Sequence, residues 1–482
     1  MKKTAVISIL LAFCTFLPAC QSVNETIETS EVVSDTTAKN DAENGLYADL
    51  PTGDYMNTEF VFANETQSSS WSILMLDCET ITGDILDNAV YHRNRSVEEK
   101  LGIIIKVVEY DHPDKLRDAL ITNVMSGDDP YHVYDICANY SGALIVEDYF
   151  VDVDTLELNL EKPWWNDTVM DSLTFNDKCY SVAGDLSIML WEASYCLIFN
   201  KDMAEKLNLP DQYQLVHDGK FTIDAVNEAM KLAYEDNGNT VVDSEDTFGM
   251  TGNNRLMTYS MISGGQSLMA ADSDGLPVFE GVSDRMYEMY EKIFDVYFDN
   301  ESVFIANRMK FNDASKNWHT LFTDGRALYY FEPIGANVKL RDASFDFGFL
   351  PIPKYDESQE NYVTPILQFA HTMHVTKANP DIEMTGVVLE NLAAESHKNV
   401  RPDYFEKVIE GKRARDDGTI EMFEIIFDNQ VMDPTTVFDW GGLAGALNDT
   451  AFAGKREISS KIASIESKIK TDIQLTVEYY GE

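Results

Sequence analysis

Strand-like apolar runs alternate with helical segments in the first third of the chain, and this alternation constrains the fold most strongly. The strand-like runs are Trp71–Asp77, Ile103–Tyr110 and Val133–Cys137. The segments between them, Asn88–Leu101 and Asp114–Met125, have a helical pattern. Such alternation predicts parallel strands with helices on the faces of the sheet. The chain is therefore expected to be an α/β protein that binds its ligand beyond the carboxyl ends of the strands.

Polar residues at or just after these strands indicate where such a ligand contacts the chain. They are Asp77, Asn139, Tyr140 and Ser141. A second polar pair, His371 and His374, lies in a later strand-like segment. Residues three apart in a strand face opposite sides, so we expect ordinary side chains there and not a pair of ligands for one metal ion.

The N-terminus predicts export. Lys2 and Lys3 precede an apolar run of 13 residues, 5–17, which is shorter than the roughly 20 residues a membrane-spanning helix needs. Residues 17–20 resemble a bacterial lipobox, which implies that 1–20 is a lipoprotein signal peptide and that Cys20 carries the lipid. An ordinary signal peptide with a chance cysteine is the alternative. Residues 21–45 lack aromatic side chains and are expected to form a disordered tether.

The charge balance excludes several partners. The chain of 482 residues has 82 Asp and Glu against 37 Lys and Arg, a net charge of -45. This charge repels nucleic-acid phosphates and anionic lipid headgroups. A binding protein for neutral or cationic solutes, a secreted hydrolase and an acidic surface protein remain.

Enzyme motifs and metal motifs are mostly absent from the sequence. It has no Walker A, HExxH or GxSxG motif, and no GxGxxG follows a strand-like run. Glu161 and Asp185 could pair in a glycosidase, but chance proximity is expected among so many acids. No CxxC pair points to zinc. Free buried thiols are favoured over two disulfides for Cys78, Cys137, Cys179 and Cys196.

One acidic loop resembles an EF-hand calcium loop. Thr240 stands where the sharp turn of such a loop needs Gly, so an acidic surface loop is the favoured interpretation and calcium the alternative. No other cofactor is expected. The calcium ligands would be Glu235, Asn237, Asn239, Asp243 and Asp246.

Five segments spread over residues 68–480 resemble, in the right order, the extracellular solute-binding proteins of bacterial ABC transporters, sugar type. They are Val97–Gly102, Cys179–Asp185, Tyr195–Asp202, Phe322–Ala327 and Gly348–Pro353. The resemblance implies a two-lobed periplasmic-binding-protein-like fold, in which each lobe is a mostly parallel sheet flanked by helices and the ligand cleft lies at the hinge. The expected N-terminal lobe is 46–190 plus 363–400, and the C-terminal lobe is 191–362 plus 401–482.

Sugar sites pair flat aromatic rings with carboxylates and amides, because sugars have apolar ring faces edged by hydroxyl groups. The sequence places aromatic and polar residues side by side in several segments. With the regions that the resemblance implies, these segments give a set of candidate ligand contacts. They are Asn139, Tyr140, Asp185, Trp191, Glu192, Tyr330, Glu332 and Trp440.

These observations predict a lipid-anchored protein on the outer face of a bacterial cell membrane. It would capture a carbohydrate between its lobes and deliver it to the permease subunits of an ABC transporter. The expected carbohydrate is an oligosaccharide. It would act as a monomer, without enzymatic activity and without binding nucleic acid. A secreted glycoside hydrolase and an acidic cell-surface adhesin are the alternatives.

Overall fold

A computed structural model describes residues 45–66, 75–265, 267–306, 317–410 and 417–481. The described residues from Leu50 onward belong to one compact unit. The predicted signal peptide with Cys20, the tether up to residue 44 and Trp71 lie outside the described residues.

The described part of the chain forms strands that fall into two main sheets and two short pairs. The strands are β1 Thr58–Glu65, β2 Ile103–Tyr110, β3 Val133–Cys137, β4 Tyr195–Asn200, β5 Phe248–Gly252, β6 Ala270–Ala271, β7 Pro277–Val278, β8 Val303–Ile305, β9 Ala327–Pro333, β10 Phe347–Leu350, β11 Thr364–Pro365, β12 His371–His374 and β13 Gln430–Val431.

Helices occupy most of the intervening chain. They are α1 Ile85–Leu101, α2 Pro113–Ser126, α3 Ala138–Val146, α4 Asp167–Ser172, α5 Ile188–Glu192, α6 Lys201–Lys206, α7 Gln212–His217, α8 Ile223–Ala233, α9 Leu256–Ser263, α10 Asp284–Ile293, α11 Trp318–Thr323, α12 Ile382–Glu395, α13 Arg401–Glu410, α14 Asp417–Asp428, α15 Pro434–Phe438, α16 Leu443–Phe452 and α17 Ile458–Gly481. None of the helices in the described ranges is long and apolar enough to cross a membrane.

The first sheet has the strand order β12-β3-β1-β2. β1 pairs in parallel with β2 and β3, whereas β12 pairs antiparallel with β3. Phe60 and Phe62 of β1 are buried, as expected for a central strand. Helix α1 ends where Gly102 adopts φ +63° and donates its backbone N–H to the Glu98 carbonyl, which turns the chain into β2.

The prediction that Trp71–Asp77 forms the first strand is wrong for its described residues, because β1 takes that place in the sheet. Leu76 and Asp77 have no strand partner. The carbonyl of Leu76 accepts hydrogen bonds from the side chains of Arg93 and Asn94 instead of joining a ladder. The strand-like runs Ile103–Tyr110 and Val133–Cys137 are confirmed as β2 and β3.

The second sheet has the order β10-β4-β9-β5-β8. β9, β5 and β8 are parallel, and β4 runs antiparallel to both β9 and β10. The carboxyl ends of the parallel strands therefore share one edge with the first residue of β4. That edge is where an open α/β sheet presents its ligand-binding groups.

The strand pair β11 and β13 joins a segment of the predicted N-terminal lobe to one of the predicted C-terminal lobe. Two helices assigned to the C-terminal lobe also contact helices of the other. Helix α13 packs against α1, and α15 packs against α3. Gly142 of α3 allows the second contact, since an added Cβ would stand 2.6 Å from the carbonyl oxygen of Val437. The boundary at residue 401 stays a prediction.

The four described cysteines are unpaired thiols, as the sequence favoured. Cys137, Cys179 and Cys196 are buried, and Cys78 is half-buried. Burial raises the pKa of the Cys179 thiol to about 11, so this thiol is protonated at neutral pH.

Candidate functional site

A cavity of about 530 Å³ lies between the two sheets, at the carboxyl edge of each. Its size falls within the roughly 300–1,000 Å³ of small-molecule sites. The first sheet contributes the ends of β1 and β3 and the start of β12. The second contributes the start of β4, the end of β9 and the residues that follow β5.

The wall from the first sheet, here the first wall, is polar and charged. Glu65, Asn139, Tyr140 and His371 line it. The Cys137 thiol donates to the side-chain oxygen of Asn139 at 2.8 Å, which orients the amide at the start of α3. These groups can bind ligand hydroxyls as both donors and acceptors.

His371 lies in this wall as part of a buried ion pair. Its Nε2 is 3.2 Å from Oε1 of Glu65, and its Nδ1 is 3.2 Å from Oδ2 of Asp135. Burial lowers the pKa of His371, but the charge of Asp135 and the hydrogen bonds to both carboxylates raise it to about 9. The imidazole is therefore a cation at neutral pH.

The wall from the second sheet, here the second wall, is aromatic. Tyr195, Trp318 and Glu332 line it together with Asn253. The Trp318 indole N–H donates to Oε1 of Glu332 at 2.7 Å, and the Asn253 amide donates to the Tyr195 hydroxyl at 3.1 Å. Burial raises the pKa of Glu332 to about 7, although the indole N–H acts in the opposite direction. A ring next to a carboxyl group is the pairing that sugar recognition needs.

Arg255 lines both this cavity and a smaller polar cavity of about 290 Å³. Its guanidinium lies over the ring of Phe369, with 4.7 Å from Cζ to the ring centroid. This stacking holds the cation in a fixed position without a carboxylate partner among the ion pairs of the described residues.

Three of the eight predicted contacts line the cavity. They are Asn139 and Tyr140 on the first wall and Glu332 on the second. Among the described residues, the other five side chains do not line this cavity in the present conformation. Whether any of the eight contacts a ligand stays a prediction.

Three predicted aromatic platforms lie in packed regions. Trp191 is 3% exposed, and its ring centroid lies 5.0 Å from that of Tyr404. Tyr330 is fully buried and its hydroxyl contacts His319. Trp440 donates its indole N–H to Thr476 and lies beside a separate, mainly apolar cavity of about 490 Å³. None of these rings offers a face to the cavity between the sheets.

The two remaining predicted carboxylates have protein partners or apolar surroundings. Asp185 contacts Nδ1 of His397 at 2.5 Å and the Arg401 guanidinium at 3.4 Å. Glu192 is buried beside Tyr404, and burial raises its pKa to about 7. Ser141, at the predicted rim, binds the Ala138 carbonyl, and Asp77 lies next to Arg95 beside a different cavity.

Sequence reasoning missed Glu65, Tyr195, Trp318 and His371 as cavity residues. Trp318 has a signal that could have found it, because it stands between Asn317 and His319 and so satisfies the aromatic-plus-polar criterion. Glu65 was missed because its strand was not recognised.

The loop that resembles a calcium loop binds its own backbone. Asp246 accepts the N–H groups of Asn237 and Asp243, and Asn239 accepts that of Val241. Within the described ranges, no three His, Cys, Asp or Glu side chains are arranged to hold a metal ion. Thr240 has φ +63°, the strained conformation that glycine adopts in a calcium loop. Glu235, Asn237, Asn239, Asp243 and Asp246 are therefore not assembled as a coordination shell here.

Comparison with known proteins identifies the family. The sequence profile described as bacterial extracellular solute-binding protein matches residues 95–381, more than half of the chain. The chain belongs to this family. No curated protein matched it at a significant level.

Solved structures of binding proteins share the fold of this family member. A cyclo/maltodextrin-binding protein complexed with maltotetraose is 14% identical, has a TM-score of 0.58, and the match covers 87% of this chain and 98% of that one. An ABC substrate-binding protein from Listeria monocytogenes in complex with cycloalternan is 13% identical and has a TM-score of 0.52; the match covers 88% of this chain and 99% of that one. The apo form of RafE from Streptococcus pneumoniae is 14% identical and has a TM-score of 0.54; the match covers 88% of this chain and 100% of that one.

These matches confirm the predicted fold class, a two-lobed α/β binding-protein fold with sheets flanked by helices. The family assignment confirms the resemblance to solute-binding proteins and indicates a protein that acts outside the cytoplasm. At such low identity, the ligands of the similar structures belong to those proteins alone.

Proposed function

We propose that this solute-binding protein captures an oligosaccharide in the cavity between its two sheets and delivers it to an ABC transporter permease. One observation carries the proposal. The cavity combines the Trp318 indole with Glu65, Glu332 and the amide of Asn139, all in positions where they can meet one ligand. Aromatic faces match the apolar faces of a sugar, and the polar groups match its hydroxyls.

The similar structures support this choice of ligand class. Two of them hold maltotetraose and cycloalternan, both oligosaccharides. Closure of the two lobes over the ligand would shift the population toward a form that the permease recognises. The protein would thus bind its ligand without turning it over.

A thermal-shift panel tests the ligand class. Maltotetraose, cycloalternan and other neutral oligosaccharides are compared with a dipeptide as a control solute. A ligand at 100 times its dissociation constant stabilises the fold by about 2.7 kcal/mol, so the melting temperature should rise. If no saccharide at millimolar concentration shifts the melting temperature, the carbohydrate proposal is wrong.

The same samples test capture against hydrolysis. Maltotetraose incubated with the protein should release no new reducing ends. Their appearance at a rate that depends on protein concentration would favour the glycoside hydrolase.

The lipid anchor is part of the proposal as well. Cys20→Ser removes the thiol that would carry the lipid, so it should release the protein from the membrane fraction of producing cells. Continued tight association of the Cys20→Ser protein with membranes would contradict lipid attachment at this residue.

A further inference from the structure

Three charged side chains on adjacent strands form a buried row at the cavity. Glu65 ends β1, Asp135 lies in β3 and His371 begins β12, and these strands are neighbours in the first sheet. The three residues are 8%, 2% and 1% exposed. His371 stands between the two carboxylates, 3.2 Å from each.

The charges of this row do not balance. At neutral pH, where His371 is a cation, one positive charge faces two carboxylates that are both removed from water. Removing a carboxylate leaves a neutral pair with His371, whereas removing His371 would leave two like charges together. The fold therefore needs only one of the two carboxylates as a counter-ion, and the other is surplus.

The cavity distinguishes the two carboxylates. Glu65 lines it, and Asp135 does not. Oε2 of Glu65 and Oδ1 of Asp135 are both shielded from solvent and have no hydrogen-bond partner among the described residues, but only Glu65 lines the cavity. A buried acceptor without a partner is costly, and natural proteins rarely keep one without a use.

We propose that Glu65 is a ligand-binding residue, whose carboxylate accepts a hydrogen bond from a hydroxyl group of the bound solute. His371 is its positioning residue, since it holds Oε1 and leaves Oε2 available. Rotation about the terminal torsion of a glutamate is soft, so a small turn brings Oε2 to the cavity. This inference rests on the proposed function, because it needs a polyhydroxylated solute in the cavity.

The assignment predicts selectivity. A carboxylate accepts hydrogen bonds and cannot donate them, so the ligand must present an O–H group at this position. An analogue with fluorine or hydrogen in place of that hydroxyl leaves the buried carboxylate unpaired. Sites built to bind a hydroxyl reject such analogues more strongly than apolar pockets reject a missing methylene.

A stability measurement without ligand tests whether Glu65 is surplus to the fold. Glu65→Gln should melt at the wild-type temperature or up to about 3 °C higher, and His371→Gln should melt about 5 °C lower. Glu109→Gln is the matched control. Glu109 is exposed on β2, so this substitution removes one negative charge, as Glu65→Gln does, but away from the cavity. A drop of several degrees for Glu65→Gln alone would make Glu65 structural and overturn the proposal.

A binding measurement tests the contact itself. Maltotetraose titrated into Glu65→Gln should bind about 10- to 100-fold more weakly than into wild type, while Glu109→Gln should stay within about 2-fold. Unchanged affinity in Glu65→Gln would overturn the proposal. The role of His371 has its own readout: the ¹⁵N shifts of its imidazole should show the doubly protonated ring at pH 7, and a neutral ring there would overturn it.

Failure of this inference can be told apart from failure of the proposed function. The melting and NMR measurements use no sugar, so they can overturn the roles given to Glu65 and His371 even if maltotetraose does not bind. Binding of maltotetraose by wild type with loss only in Glu65→Gln supports both proposals. Equal binding by both proteins leaves carbohydrate capture standing and removes Glu65 from the site.

Discussion

The two walls of the cavity hold their carboxylates in different ways. On the first wall, Glu65 at the end of β1 is paired with the imidazolium of His371 on β12, across the intervening strand β3. On the second wall, Glu332 is held by an indole N–H, and burial raises its pKa to about 7. With a pKa raised to about 9, His371 of the first wall stays a cation across the neutral range. Glu332 of the second wall changes from neutral to charged within it. This difference assigns fixed hydrogen-bond selection to one wall and ring stacking with a titratable acceptor to the other.

The walls also differ in how the chain builds them. Glu65 and His371 of the first wall lie on strands that both pair with β3, so backbone pairing fixes their spacing. Asn139 and Tyr140 lie in helix α3. The second wall combines the end of β9 with the first residue of α11, an element outside the sheet. We expect Glu65 and His371 to be held more rigidly than Trp318, since they lie on paired strands.

The largest expected effect is that of Trp440→Ala on stability. This variant tests whether the ligand binds in the cavity between the sheets or beside the packed aromatic region around Trp440. Trp440 is 1% exposed and its ring stacks on Phe438. Trp440→Ala should reduce the free energy of unfolding by about 3–5 kcal/mol, through loss of packing, and leave saccharide affinity unchanged in the folded fraction. Chemical denaturation and calorimetry measure the two quantities. Weak binding with normal stability would move the ligand to the apolar cavity beside Trp440 and break the comparison of the walls.

The next effect tests the titratable carboxyl of the second wall. Glu332 has a raised pKa in the folded state, so it stabilises the fold most when protonated, and this contribution is lost as the pH rises from about 4.5 to 7. The Gln side chain of Glu332→Gln does not ionise, so the variant does not lose stability in this way as the pH rises. Relative to wild type, the variant should gain about 3 kcal/mol of unfolding free energy between pH 4.5 and pH 8.

Denaturant titrations at these two pH values give the result. Glu109→Gln, whose side chain is exposed on the first sheet, serves as the control for the change in net charge. A pH-independent difference between Glu332→Gln and wild type would show that the two walls hold their carboxylates alike.

The third effect concerns stacking on the second wall. Trp318 is half-buried and lines the cavity, so Trp318→Ala should weaken saccharide binding by about 2 kcal/mol, or roughly 30-fold. Trp318→Phe keeps a ring but loses the hydrogen-bond donor to Glu332, so its saccharide affinity should lie between those of wild type and Trp318→Ala. Equal losses in both variants would assign the role of Trp318 to its hydrogen bond and not to its ring.

The sequence predicted regular elements better than the site. Helix α1 and strand β2 were found because Gly102 separates a helical pattern from a β-branched run, and both signals are local. The first strand was missed because the apolar run ending at Asp77 is as strand-like as β1. Only pairing partners decide between two such runs, and these lie elsewhere in the chain.

The site was predicted in part for a similar reason. Aromatic residues next to polar ones are typical of sugar sites, but the pattern does not report burial. Trp440 and Trp318 satisfy it equally, and one is packed against Phe438 while the other faces the cavity. The pairing of Glu65 with His371 joins residues far apart in the sequence, so no local pattern announces it.

A crystal structure with a bound saccharide would show where the ligand lies. The protein is co-crystallised with the oligosaccharide that raises its melting temperature most. We expect electron density for the sugar between the two sheets, with a ring face on Trp318 and hydroxyls at Glu65 and Glu332. Density for the sugar at another place, such as the apolar cavity beside Trp440, with the cavity between the sheets holding only water, would contradict this expectation.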